Sequence, residues 1–313
     1  MPGTVAQSVG VDIAKDTLEV HLHPQGQPVR QRCQRLCRPD RLAEGFEVVR
    51  VAFEPTGAYH HAFERRLAEA GLPLVKVNPR QARRFAEAIG RHAKTDAVDA
   101  AMLARFAALL EPPVRAVVSA TLDAMKELHV ARRALVKDRV AARNRDHRHR
   151  SALLKRHARE RLRQIDRQLA AIDAALHAEL AADPALQVRF AILVSIPGVG
   201  AATAFAMLIE MPELGALEHK GAASLAGLAP IARDSGQRRG KRSIRGGRAH
   251  LRQALYMPAL VAVRFNAAMK AKYDALRAAG KPPNVALTAI MRKLIILANA
   301  LIRDGRIWSP LPA

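Results

Sequence analysis

Residues 8–22, SVGVDIAKDTLEVHL, do most to limit what this chain can fold into. Val9, Val11 and Ile13 alternate with Gly10 and Asp12, the period of a pleated strand with one buried face. A turn is predicted at residues 14–16, and a second strand after it. The polar stretch 24–47 is expected to hold a third strand and a poor helix. FEVVRVAFE reads as the next buried strand, stopped by Pro55, Thr56 and Gly57. AYHHAFERRLAEAG then reads as an amphipathic helix ending on Gly71, and LPLVKVNP as a short strand closed by Pro79. Helical sequence follows through residue 110. A hairpin followed by alternating strands and helices predicts a mixed α/β domain over residues 1–112.

The acids in that frame are out of place. Asp12 lies inside the first strand between Val11 and Ile13, where a carboxylate is costly unless it is paired or binds a metal. Glu54 closes the other buried strand against a turn. Asp96 and Asp99, in KTDAVDAAMLARF, share one face of a helix three residues apart. Four such acids converge only if the sheet brings them together. A cluster of this kind suits one or two Mg²⁺ ions, because hard divalent cations take carboxylate oxygens and keep their remaining sites for phosphate. Two ions can clamp the attacking and leaving oxygens of an in-line displacement. Lys94, just ahead of the pair, reads equally as a phosphate contact or as an exposed lysine at a helix start.

The charge balance names the partner class. With 51 Lys and Arg against 28 Asp and Glu in 313 residues, the net charge is +23, so a polyanion, most economically nucleic acid, is expected. Half the residues are apolar, which predicts globular domains rather than a disordered chain. EPPVR at 111–115 marks a boundary, and a helical arm is expected over 113–185, ended by Asp183 and Pro184. Residues 126–163 carry fourteen Lys and Arg against four acids, and Arg143, Arg145, Arg148 and Arg150 are assigned to backbone phosphates. His147, His149 and His157 read as solvated or phosphate-facing rather than as metal ligands. Leu162, Ile165, Leu169, Ile172 and Leu176 step by 3, 4, 3 and 4, which fits a coiled-coil seam or an ordinary antiparallel helix pair.

A third, mainly helical domain is predicted over 186–313. It opens on SIPGVGAATA, whose turn resembles that of helix-hairpin-helix modules and equally fits a plain helix–helix turn. ARDSGQRRGKRSIRGGRAHLR follows, with no apolar period, and is expected to be a mobile loop. Its cations, Arg233, Arg238, Arg239, Lys241, Arg242, Arg245 and Arg248, are candidate phosphate contacts. GQRRGKRS fails as a phosphate-binding P-loop in spacing, in residue order and in lacking a preceding strand.

Other classes are disfavoured. The longest apolar runs, ALYMPALVAV and LIILANALI, fall short of the roughly 20 residues of a bilayer span. The first residues carry no secretory signal pattern, and Cys33 and Cys37 are too few for a zinc site or a disulfide framework. A cytoplasmic protein without a membrane partner is expected.

In combination, VGVDIAKD, FEPTGAYH, KTDAVDA, SIPGVGAATA and ARDSGQRRGKRSIRGGRAH carry a resemblance that runs from residue 8 to about 305. The chain resembles the DEDD insertion-sequence transposases of the IS110 family, and more distantly RuvC-type Holliday-junction resolvases. The resemblance implies an RNase H-like (RuvC-like) domain, a coiled-coil arm and a C-terminal domain with an essential serine. It implies DNA strand cutting and rejoining at element ends and target, directed by a structured bridge RNA in the bacterial cytoplasm. It makes Asp12, Glu54, Asp96 and Asp99 the metal-binding tetrad and Ser235, in RDSG, the nucleophile. Ser243 in the same loop and Ser195 are the competing serines. A homodimer or homotetramer is expected, since two DNAs must be held at once. The alternatives are a metal-dependent, structure-specific endonuclease with no covalent serine intermediate, and a non-catalytic nucleic-acid-binding protein.

Overall fold

The computed structural model describes residues 6–14, 17–26, 28–32, 46–55, 60–90, 95–114, 119–237 and 239–309. Two compact units divide the chain, Met1–Val117 and Val118–Ala313. Cys33, Cys37, Lys94, Arg238 and the predicted helix after the third strand lie outside the described residues.

The first unit is built on a mixed sheet. Strands β1 (Gln7–Ile13), β2 (Thr17–His23), β3 (Pro28–Arg32), β4 (Val48–Phe53) and β5 (Leu74–Lys76) lie in the order β3-β2-β1-β4-β5. The first three form an antiparallel meander, while β1–β4 and β4–β5 are parallel. Parallel neighbours need crossovers. One is supplied by α1 (His60–Glu69), between β4 and β5; α2 (Pro79–Ala88) and α3 (Asp96–Leu110) follow β5.

Alternation along the strands divides the core. Val9, Val11, Ile13, Val51 and Phe53 pack on one face with Phe63 and Leu67 of α1. Ala52 and Val75 turn to the other face, with Met102, Leu103 and Phe106 of α3. Glu64 of α1 is buried, and its Oε1 lies 2.6 Å from Lys76 Nζ, so that acid is paired inside the domain.

The second unit is helical. Helices α4 (Ala120–Asp146) and α5 (Ala152–Ala181) form a long pair, and α6 (Pro184–Ser195), α7 (Ala201–Glu210) and α8 (His219–Leu225) follow. A short β6–β7 hairpin (Pro230–Ile231, Ser243–Ile244) precedes α9 (Ala249–Ala254), α10 (Tyr256–Phe265), α11 (Ala267–Ala278) and α12 (Pro283–Arg303). The 3-4 seam is spent within the chain. Ile165 and Leu169 pack with Ala142, Leu135 and Val136 of α4, and Leu176 joins the main core. Arg132–Asp173 (2.5 Å) and Arg139–Asp166 (3.3 Å) staple the pair across the seam.

Helix α12 differs from the sequence expectation. Arg292 and Lys293 break the apolar run in the sequence, yet 283–303 is one continuous helix, long and apolar enough to cross a membrane by length and composition. Ile290, Leu294, Ile295, Ala298 and Leu301 bury one of its faces in the core of this unit. Asn299, fully buried, donates from Nδ2 to Leu217 O at 2.7 Å and accepts from Gly215 N at 2.8 Å. A buried amide satisfied on both sides fixes the 212–217 loop to this helix.

Candidate active site

The approach of α3 to the sheet is set by a glycine. A Cβ on Gly10 would stand 2.0 Å from Ala100 O and 2.3 Å from Ala104 N, so only glycine lets the helix backbone rest on β1. Asp12 follows two residues on, hence on the same face of the strand. The strand step from Gly10 to Asp12, about 6.6 Å, matches the helix step from Ala100 back to Asp96, about 6 Å. The N-terminus of α3 therefore reaches Asp12. Thr95 caps that end, its Oγ1 accepting from Val98 N at 3.3 Å, and the first turn carries both Asp96 and Asp99.

The electrostatics record this convergence. Burial raises the Asp12 carboxyl above its ordinary value, and the Asp96 and Asp99 charges raise it further; a backbone hydrogen bond from Ile13 opposes them. Glu19, opposite Asp12 in the β1–β2 register, adds a smaller push in the same upward direction. Glu19 is an acid beside the site that the sequence reading passed over; its alternation within β2 was the available signal. Glu54 follows Phe53, whose partner Val11 precedes Asp12, so the two acids stand at equivalent positions along adjacent parallel strands, Asp12 within β1 and Glu54 just past the end of β4. Both are half-buried, as is Asp99, while Asp96 is exposed. Among the described residues no three His, Cys, Asp or Glu side chains stand as a ready metal cage. The donor set is nonetheless all carboxylate oxygen, the chemistry of a hard divalent cation, and Asp12 carries the repulsion that a cation would relieve.

The serine loop contains a short hairpin. β6 and β7 pair Pro230 with Ile244 and Ile231 with Ser243, and Ser235 forms an isolated bridge within the loop they enclose. Asp234 Oδ1 accepts from Gly240 N at 3.2 Å, and a Cβ on Gly240 would stand 2.2 Å from Arg233 O. Gly236 takes a left-handed φ of +55°, which reverses the chain beside the serine. Ser235 and Ser243 are exposed, as are Arg233, Arg239, Lys241, Arg242 and Arg245.

Two arginines behave differently. Arg248 makes a bidentate pair with Glu213 at 2.7 and 2.6 Å, and Arg252 donates to Gly246 O at 2.8 Å. These bonds tie the base of the loop to the 212–217 segment and to α9, a use that nothing in the local sequence signals. Ser195 is also spent structurally: its Oγ donates to Ile192 O at 2.6 Å and accepts from Trp308 N at 2.8 Å. On the helical pair, Arg143, Arg145, Arg148 and Arg150 are exposed at the end where α4 turns into α5.

The SIPGVG segment forms the tight turn from α6 to α7. Gly198 has φ +93°, and a Cβ there would meet Pro258 O at 2.8 Å.

Comparison with known proteins joins these features. A DEDD transposase model of the IS110 type matches residues 9–157, and the model described as "Transposase IS116/IS110/IS902 family" matches residues 190–274. The first interval includes all four acids, and the second includes the serine loop. The chain is 27% identical to the pilin gene-inverting protein of Moraxella lacunata, over 95% of this chain and 96% of that protein. It is 34% identical to a 43.6 kDa protein of insertion element IS110 from Streptomyces coelicolor, over 49% of this chain and 37% of that one. The chain belongs to the IS110 family of DEDD transposases, enzymes that cut and rejoin DNA.

Proposed function

We propose that this transposase works by phosphoryl transfer, with Asp12, Glu54, Asp96 and Asp99 as a Mg²⁺-binding tetrad on an RNase H-like domain and Ser235 as nucleophile. The observation that carries this reading is the convergence of Asp96 and Asp99 on Asp12 across the Gly10 contact. Mg²⁺, when bound, neutralises phosphate charge and lowers the pKa of a coordinated hydroxyl. Burial and the charges of Asp96 and Asp99 make the Asp12 carboxylate costly, and a cation shared among the acids would relieve that cost. Ser235 Oγ forms a bond to phosphorus as the bond to the leaving deoxyribose oxygen breaks; the serine proton is lost and the leaving oxygen gains one. One phosphodiester is exchanged for another, so rejoining by the reverse step needs no energy source. Arg233 and Arg239 beside the serine offer planar donors to the charge that builds on the phosphate. The basic arm holds nucleic acid backbone, and a structured guide RNA together with DNA of the element ends and target are its ligands. A dimer or tetramer supplies the second DNA site.

The test is a supercoiled plasmid carrying the element's ends, incubated with protein and Mg²⁺. Asp12→Asn, Glu54→Gln, Asp96→Asn and Asp99→Asn are each expected to abolish cleavage while nucleic-acid binding is retained. Full recombination by Asp96→Asn or Asp99→Asn would remove the tetrad from the mechanism.

A further inference from the structure

The geometry points to a nucleotide-binding groove between α4 and α5, in which one unpaired nucleotide docks, its phosphate in a cationic cavity and its base in a wider one alongside. This rests on the reading of the arm as a nucleic-acid surface and assigns that surface a site.

The smaller cavity, about 180 Å³, brings Arg145 and His149 of the α4 end together with His157 and Arg161 of α5. Its remaining lining is apolar, Ala142, Leu154 and Ala158, and no acid contributes to it. Elsewhere the two helices answer cation with anion, as in Arg132–Asp173 and Arg139–Asp166. Here two arginines, one from each helix, and two imidazoles line one space with no acid between them. Two helices gain nothing by facing cations at each other, and an anion between them turns that repulsion into attraction. A phosphate with its waters fits the space, which holds about six waters' volume.

The wider cavity, about 580 Å³, shares His157 and Arg161 with the first and so continues it. Leu135 and Ile165 give it an apolar floor, and Asp138, Glu160, Gln164, Gln168 and Arg167 line it with acceptors, amide donors and a further guanidinium. Seven of its nine lining residues are polar or charged, and its volume falls in the range of roughly 300 to 1,000 Å³ usual for small-ligand sites. It suits a base edge, since carboxylates accept from exocyclic amines and glutamines pair with adenine. Arg161 stands where phosphate and base cavities meet, and guanidinium planes stack on bases. A base inside a duplex cannot enter such a groove. The ligand is therefore a nucleotide from a single strand, a loop or a bulge.

Full-length protein is titrated by fluorescence anisotropy with a labelled ten-nucleotide oligo(A) RNA, the same strand as DNA, and a ten-base-pair duplex. The single strands are expected to bind more tightly than the duplex. Arg161→Ala should weaken single-strand binding about ten-fold and flatten the slope of log K against log salt by about 0.7. Gln164→Ala with Gln168→Ala should weaken binding and leave the salt slope unchanged. Arg159→Ala removes the same charge from an exposed position outside the groove and should change affinity less than two-fold, an expectation of the order usual for surface charge. The parallel RNA and DNA titrations say which strand the groove takes. Equal losses for Arg159→Ala and Arg161→Ala, or an equal loss on the duplex, would overturn the groove. Absence of binding to all three probes by the unsubstituted protein would instead refute the nucleic-acid reading of the arm.

Discussion

Gly10 and Ala100 touch through backbone alone: a single methyl group on the glycine would lie 2.0 Å from the helix carbonyl oxygen. That contact sets the height of α3 above the sheet, and so the distance from its first turn to Asp12. Gly10→Ala must lift the helix or bend the strand. Overpacking of this kind costs about 1–3 kcal/mol, and the shift falls on the acids. We expect a lower denaturation midpoint and loss of plasmid cleavage in the same variant. Unchanged stability and cleavage would show that α3 is not seated by this residue.

Removing negative charge from the acidic site has a sign that depends on metal. Burial and the charges of Asp96 and Asp99 disfavour the Asp12 carboxylate, so without divalent cations Asp12→Asn is expected to be neutral to stabilising towards heat. Mg²⁺ should raise the melting temperature of the unsubstituted protein, because it binds the folded site alone. It should raise that of Asp12→Asn much less. Thermal unfolding in EDTA and in Mg²⁺ checks both halves, and an equal metal response in the two proteins would contradict the assignment of Asp12 as a ligand.

His129 gives the second unit a pH dependence of its own. The residue is 6% exposed, and burial, then Arg133, Arg132 and His250, lower its pKa from the ordinary 6.5 to about 4. Between those values the unfolded chain binds the proton and the folded one does not, so stability falls as pH drops from 6.5 to 4. After screening, the loss is on the order of 2 kcal/mol. Denaturant titrations across that window should show it, and His129→Gln should flatten the curve. An identical curve for the variant would mean that other groups carry the acid sensitivity.

The frame of the first unit was legible in the residues that alternate. Val9, Val11 and Ile13 marked β1 and its buried face, Gly71 ended α1, and Pro79 opened α2. Asp12 stood out because a carboxylate inside an apolar strand has few inexpensive explanations. The depth at which α3 sits was less legible, since a mid-strand glycine announces a close approach but not its partner. Contacts across long separations left no local signal: Glu213 with Arg248, and Arg133 with both Glu210 and His250. The 3-4 spacing of Leu162 to Leu176 announced a packed helix face but could not say that α4 covers it. The hairpin of the serine loop left no signal because its strands are two residues long, too short for any period, and its closure depends on Asp234 and Gly240.

The central claim is a covalent bond between Ser235 and DNA, and trapping that bond tests it most directly. The reaction is run on a nicked or mismatched substrate that stalls rejoining, and the products are resolved on a denaturing gel and mapped by mass spectrometry. The account predicts a protein–DNA adduct on Ser235 that disappears in Ser235→Ala while nucleic-acid binding persists. An adduct mapped to Ser243, or robust strand rejoining by Ser235→Ala, would contradict it.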